Sequence, residues 1–126
     1  GGITSIAVNN VDLQARTMDL EAADMPSGAF GFFITSTTQA FVPNAGGSAG
    51  NLCVGGQIGR GVGNGILSTG ALGAFSTPVS LDSIPTPTGF TSVMAGETRN
   101  FQAWHRDSII GIATSNFSGG LAITFP

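Results

Sequence analysis

The chain has 126 residues, of which 41% are hydrophobic and 9% charged, and its net charge is −3. An average soluble domain is about a quarter charged, so this composition excludes the usual disordered chain and disfavours a bundle of charged helices. The chain has no lysine and only four basic side chains, all arginine. Nucleic acid is therefore a poor partner, because phosphate binding needs clustered positive charge. We expect one domain over residues 1–126.

The N-terminal part of the chain predicts strands. Three aliphatic residues in the first eight positions, followed by the turn-prone Asn9-Asn10 pair, indicate an opening strand. Residues 11–25 favour a helix by the propensity of their Leu, Ala, Glu and Met residues. However, Met18, Leu20 and Ala22 alternate with polar residues, which is typical of a half-buried strand. We therefore predict a strand here.

The middle of the chain predicts strands separated by glycine-rich turns. Residues 29–42 are rich in Phe, Ile, Thr and Val and predict one long or bent strand. The glycine-rich residues 46–75 are expected to be ordered, with short strands near positions 52–54, 66–67 and 71–75. Cys53 should be buried there as a small hydrophobe. Residues 85–89, with two prolines, predict a stiff surface loop.

The last third of the chain has the clearest alternation. Phe101 and Ala103 point to one side of a strand, and Asn100, Gln102 and Trp104 to the other. Seven or eight short strands with regular turn signals predict an all-β fold, a single antiparallel β-sandwich that is immunoglobulin- or fibronectin-like in its last strands. The predicted core consists of Ile6, Leu20, Phe30, Phe32, Ile34, Leu52, Val54, Leu72, Phe75, Leu81, Phe101, Ala103, Leu121, Ile123 and Phe125.

The motifs that look catalytic lack the rest of their machinery. Ser48 lies in a G-x-S-x-G pattern, which needs a strand–turn–helix elbow, and its glycine-rich surroundings do not favour a helix. His105, Arg106 and Asp107 spell a kinase tripeptide, but a kinase also needs a lysine. With one histidine and one cysteine, no transition-metal ligand set is evident. The sequence predicts no enzyme, no cofactor and no metal.

One aromatic face suggests a binding site. Trp104 shares its side of the strand with Gln102 and Asn100, and an exposed Trp flanked by amides is suited to stacking on a sugar ring. Arg99 and His105 lie beside this face in the sequence and complete the candidate carbohydrate site. The alternative is a Trp packed between two sheets, with His105 as a structural histidine.

Five segments resemble a β-sandwich module of exported proteins of planctomycetes and related environmental bacteria. They are GAFGFF (28–33), GNLCVGGQIGR (50–60), IPTPTG (84–89), GET with FQAWHRD (96–98 and 101–107) and TSNFSGGLAITF (114–125). In that family an aromatic often stands where Arg99 and His105 are here. The resemblance implies export and a non-enzymatic role, and brings no ligand with it.

These observations favour a non-catalytic, secreted or cell-surface module for structure, adhesion or self-assembly. Low charge leaves sheet edges unprotected, so copies of the chain could associate into filaments by strand pairing between subunits. The expected partners are other copies of itself or cell-surface components. The alternative is a carbohydrate-binding module whose partner is a polysaccharide. No apolar stretch is long enough to suggest membrane insertion.

Overall fold

The computed structural model describes residues 4–44, 50–109 and 112–125. Across these residues the chain forms thirteen strands and no helix, so the all-β prediction is confirmed. In chain order the strands are β1 (Ser5–Asp12), β2 (Thr17–Ala23), β3 (Phe30–Ser36), β4 (Thr38–Pro43), β5 (Asn51–Gly55), β6 (Gly59–Arg60), β7 (Leu67–Ser68), β8 (Phe75–Ser80), β9 (Ile84–Thr86), β10 (Gly89–Thr91), β11 (Thr98–Ile109), β12 (Ile112–Phe117) and β13 (Leu121–Thr124).

The strands form two larger antiparallel sheets and two separate hairpins. The small sheet has the order β1-β2-β8. The large sheet has the order β12-β11-β3-β6, with β13 also pairing with β11 and β7 with β3. The hairpins are β4–β5 and β9–β10. The long strand β11 is the centre of the large sheet, since it pairs with three other strands.

Both larger sheets contribute to one hydrophobic core. The small sheet supplies Met18 and Leu20 from β2, and the large sheet supplies Phe33 and Phe101, all nearly inaccessible to solvent. We refer to the side of the large sheet that carries Phe33 and Phe101 as its inner face and to the opposite side as its outer face. The core predictions that the structure confirms as buried are Leu20, Ile34, Val54, Phe75, Leu81, Phe101, Ala103 and Phe125, while Ile6, Leu121 and Ile123 are partly buried against the cluster.

Strand β2 settles the helix–strand ambiguity of the sequence. Met18, Leu20 and Ala22 are buried, and the residues between them are more exposed. The strand prediction is confirmed because both neighbours, β1 and β8, pair with β2 in regular antiparallel register over most of its length.

Four of the predicted core residues are not in the core. Phe30 is 59% exposed on the outer face at the start of β3, and Leu72 is 92% exposed. Leu72 lies in a turn between Gly70 and Gly73, which both have positive φ, so its side chain is carried away from the sheets. Phe32 and Leu52 are only half-buried. The predictions for Phe30, Phe32 and Leu52 were wrong because alternation does not reveal which face of a strand is covered. The prediction for Leu72 was wrong because residues 71–73 form a turn, and the strand predicted near 71–75 begins only at Phe75.

The glycine-rich segment is less buried than the sequence predicts. Val54 and Val62 are fully buried, but Ile66 is 74% exposed. Cys53 is half-buried rather than buried. Residues 46–49 of this segment lie outside the described residues.

Two predicted boundaries also change. Residues 29–42 are not one strand, because the chain leaves the large sheet after Ser36, whose hydroxyl bonds to both the backbone N–H and the carbonyl of Thr38. The surface loop predicted over residues 85–89 is confirmed only at Pro87 and Thr88, which form the exposed turn of the β9–β10 hairpin. Pro85 is buried in β9. The Pro85 carbonyl occupies the place where a Cβ on Gly59 would lie. Strand β6 can therefore approach β9 only with glycine at that position.

Candidate functional site

The β4–β5 hairpin covers part of the outer face of the large sheet, and buried amide side chains hold it there. Gln102 of β11 is completely buried. Its Oε1 accepts from the Cys53 backbone N–H at 2.8 Å, and its Nε2 donates to the Asn51 carbonyl at 2.7 Å. The same Nε2 donates to the Ser118 carbonyl at 2.7 Å. Gln102 therefore joins β5 and the segment after β12 to the centre of the sheet.

Asn100, two residues before Gln102 in β11, also bonds to neighbouring segments through its side-chain amide. Its Oδ1 accepts from Nε2 of Gln39 in β4 at 3.1 Å, and its Nδ2 donates to the Ser36 carbonyl at 3.4 Å. Only 5% of Asn100 is exposed. The two amides that the sequence assigned to a sugar-binding face are thus engaged within the protein.

Beyond the hairpin the outer face opens into a cleft of about 490 Å³, which we call the outer cleft. Three aliphatic side chains form part of its lining. They are Ile34 of β3, Leu52 of β5, and Ile58 between β5 and β6. The remaining lining side chains are three aromatic rings and three polar groups: Phe32, Trp104, Phe117, Arg60, Arg106 and Ser115.

The three aromatic rings form a row across three adjacent strands. Trp104 of β11 lies opposite Phe32 of β3 and Phe117 of β12 in the strand register. Adjacent strands are about 4.8 Å apart, so the row spans about 10 Å of the sheet. The Phe32 and Trp104 ring centroids are 5.0 Å apart with an interplanar angle of 32°. The Phe32 and Trp104 rings therefore pack against each other at a tilt. Together with Phe117 they line the cleft with apolar ring surface, which can contact the C–H face of a ligand ring.

The polar groups of the outer cleft are dominated by two arginines. Arg106 lies two residues after Trp104 on the same face of β11, and its Cζ is 5.3 Å from the Trp104 ring centroid, a cation–π contact. Arg60 of β6 lies opposite Ile34 of β3 and faces the same side. Ser115 pairs with Arg106 in the β11–β12 register.

The structure separates the sequence-predicted site residues. Trp104 lines the outer cleft and is half-buried, so it does not lie in the core between the sheets. Arg99 and His105 alternate with it and belong to the opposite side of β11. Arg99 is 7% exposed, and its Nε donates to Oε2 of Glu97 at 2.8 Å.

His105 is a buried structural residue, 1% exposed. Its Nδ1 is 3.0 Å from the Arg106 carbonyl, which can only accept, so Nδ1 carries a proton. In the neutral ring Nε2 then accepts from the Thr4 hydroxyl at 2.8 Å. Both ring nitrogens are occupied within the protein, and neither His105 nor Arg99 faces the outer cleft.

Of the nine residues that line the outer cleft, the sequence predicted only Trp104 as a site residue. The aromatic and charged residues that it missed are Phe32, Phe117, Arg60 and Arg106. Alternation along β11 places Arg106 on the face of Trp104, so this residue had a signal in the sequence. Arg60 had no local signal, because its position depends on the pairing of β6 with β3.

The other motifs add no chemistry to the described residues. Ser48 lies outside them. Within the described ranges, no cluster of three or more His, Cys, Asp or Glu side chains could hold a metal ion. The same part of the chain contains no helix with the length and hydropathy of a membrane span.

Comparisons with protein-family models, with curated proteins and with solved structures gave no significant match. The resemblance to a module of exported bacterial proteins therefore stays a prediction.

Proposed function

We propose that this protein is a non-catalytic, extracellular binding module that holds a saccharide in the outer cleft. The observation that carries the proposal is the row of Phe32, Trp104 and Phe117 at an open cleft, beside polar donors. Aromatic rings bind the apolar faces of sugar rings, while polar groups at the rim bind hydroxyls. The proposal keeps Trp104 from the sequence-derived site and replaces its other members.

Two structural points favour a binding role for the outer cleft. Trp104 and Phe32 lie on β11 and β3 in the middle of the large sheet, and Phe117 lies on β12, which pairs with β11. Strand pairing therefore fixes the backbone that carries the three rings before a ligand arrives. The hairpin walls the cleft on one side through Leu52, which gives it depth.

For the fold, we propose that the two larger sheets form a single sandwich with immunoglobulin- or fibronectin-like last strands. A core drawn from both sheets supports this arrangement.

Affinity electrophoresis through gels that contain soluble polysaccharides tests the function. We expect at least one polysaccharide to retard the protein, and Trp104→Ala to abolish the retardation. Phe90→Ala is the matched control, because Phe90 is an aromatic residue that is 74% exposed and lies in β10, outside the outer cleft. Equal retardation of wild type and Trp104→Ala would contradict the proposal, as would retardation by none of a broad panel.

A second candidate function is self-assembly through strand β1, serving cell-surface structure or adhesion. Strand β1 is an edge of the small sheet, and its residues from Ser5 to Val11 carry no charge. Unprotected edges of this kind pair with strands of other molecules. A bulge near Asn10, which has φ of 53°, limits the regular edge to its first five residues.

Light scattering over a range of protein concentrations tests the self-assembly proposal. We expect wild type to associate and Ala7→Lys to stay monomeric, because Ala7 is exposed on β1 and an edge lysine opposes strand pairing. Thr17→Lys is a control with the same charge on the neighbouring strand β2, which is paired on both sides. A strictly monomeric wild type at high concentration would remove this candidate.

A further inference from the structure

The four arginines of the chain divide into two pairs with different surroundings. Arg16 pairs with Asp82 at 3.0 Å, and Arg99 pairs with Glu97 at 2.8 Å. Arg60 and Arg106 contact no carboxylate among the described side chains, and both line the outer cleft. In a protein with net charge −3, the two arginines that have no carboxylate partner among the described side chains thus line the same cleft.

The polar lining of the outer cleft is cationic because the amides are used elsewhere. Gln102 and Asn100 are buried beneath the hairpin and bonded to it, so they offer nothing to a ligand. The polar groups that line the cleft are Arg60, Arg106 and Ser115, and none of the described lining residues is acidic. A neutral saccharide would leave both guanidinium groups without a counter-charge. An anionic saccharide would pair with them.

The arginines are suited to carboxylates. A guanidinium carries five N–H donors in one plane and binds a carboxylate through two parallel hydrogen bonds. Arg106 lies over the Trp104 ring, and a cation–π contact of this kind restrains the side chain while its in-plane donors stay free for a ligand. Phe32 and Phe117 extend the ring surface beyond the part of Trp104 that Arg106 covers.

We propose that the outer cleft binds an acidic polysaccharide, with uronate carboxylates paired to Arg60 and Arg106 and pyranose rings against the aromatic row. This inference rests on the proposed saccharide function and names its ligand class. Single-stranded nucleic acid also combines stacking with negative charge. Two arginines in a protein of net charge −3 are too few for a phosphate backbone, which is bound by many cations.

The test compares polygalacturonate with its methyl-esterified form, which has the same sugar backbone without the charge. Binding is measured by affinity electrophoresis and by titration calorimetry at low and high salt. We expect polygalacturonate to bind at least about tenfold more tightly than the ester, and salt to weaken its binding. Arg60→Gln and Arg106→Gln should each weaken polygalacturonate binding about tenfold or more, and should weaken binding of the ester much less.

Arg16→Gln is the matched control, because it removes an arginine whose side chain is 34% exposed and already paired with Asp82. It should leave polygalacturonate binding unchanged. Thermal melts of every variant confirm that a loss of binding is not a loss of folding.

The outcomes separate the two proposals. If the ester binds as tightly as the acid, and Trp104→Ala abolishes both, the saccharide function stands and the acidic ligand is wrong. If neither polymer nor any neutral polysaccharide binds, both proposals fall. If oligothymidylate binds more tightly than polygalacturonate at the same salt concentration, the ligand is a nucleic acid and the saccharide assignment is overturned.

Discussion

The inner and outer faces of the large sheet carry alternate residues of the same strands, but the two faces have different surroundings. On the inner face Phe101 and Ala103 of β11 pack into an apolar core shared with the small sheet. On the outer face the alternate residues are Gln102 and Trp104. Gln102 is buried beneath the β4–β5 hairpin and hydrogen-bonded to it, and Trp104 lines an open cleft. The comparison shows that one strand can present an apolar, a polar and an open environment within four residues.

The difference between the faces has a physical cause. The apolar side chains of the inner face are buried in a cluster shared with the small sheet. Arg99 and His105 are also buried on this face, and their polar atoms are hydrogen-bonded within the protein. The outer face is covered only where the β4–β5 hairpin reaches, so burial there follows the hydrogen bonds that hold the hairpin. Burial of Gln102 is favourable because both its amide oxygen and its amide nitrogen are satisfied.

The largest expected effect compares the two faces directly on β3. Phe33 is fully buried on the inner face, and Phe30 is 59% exposed on the outer face. We expect Phe33→Ala to lower the free energy of unfolding by about 3–5 kcal/mol, and Phe30→Ala by no more than about 0.5 kcal/mol. Urea unfolding followed by circular dichroism measures both. Similar losses in the two variants would refute the distinction between the faces.

A smaller effect is expected for the amides that hold the hairpin. Gln102→Ala leaves the Cys53 N–H and the Asn51 and Ser118 carbonyls without their partner, and should cost about 2–3 kcal/mol. Asn100→Ala loses one bond of 3.1 Å and a longer one of 3.4 Å, and should cost only about 1 kcal/mol. Equal costs by urea unfolding would show that hydrogen bonds to Gln102 do not dominate attachment of the hairpin.

The next effect concerns the strand that carries Arg60. Gly59→Ala would place its Cβ on the Pro85 carbonyl, so β6 or the β9–β10 hairpin must move. We expect a cost of about 1–3 kcal/mol, seen as a lower Tm. Gly89→Ala is the control, because no atom lies within 4 Å of the added Cβ. An unchanged Tm for Gly59→Ala would show that β6 and β9 are less closely packed than the structure has them.

The smallest effect is a change in thiol reactivity at the hairpin. Cys53 is half-buried, and Gln102 holds its backbone N–H. We expect a thiol reagent to label native Cys53 more slowly than the unfolded chain, and the Gln102→Ala variant faster than wild type, because the hairpin opens more often. Phe30→Ala should label at the wild-type rate. Identical rates in wild type and Gln102→Ala would mean that the hairpin is held by other contacts.

Much of the fold could be predicted from local patterns, and the site only in part. The strands β2, β11 and β13 follow alternation, which reports the local geometry of a chain in a sheet. Alternation cannot report what covers a face, and this is why Phe30 was assigned to the core. Leu72 was assigned to the core because a turn between two glycines was interpreted as a strand. The same limit made Gln102 and Asn100 look like ligand-binding amides.

The outer cleft contains residues that local sequence patterns do not bring together. Trp104 was identified from its polar neighbours, yet Arg60 reaches it only through pairing of β6 with β3, and Phe117 only through pairing of β12 with β11. Such pairings join residues far apart in the chain. The ion pair of Arg16 with Asp82 spans 66 positions, so the sequence could not show which arginines have a carboxylate partner.

The β4–β5 hairpin has one more consequence, because among the described residues no strand pairing links it to either larger sheet. It can detach while the sheets stay folded, as an independent unit of local unfolding with its own opening equilibrium. Since Leu52 of this hairpin lines the outer cleft, the cleft is complete only in the closed fraction of molecules, and the apparent affinity of any occupant falls by that fraction. An occupant would in turn slow amide hydrogen exchange in β4 and β5 while leaving the exchange of β2 unchanged.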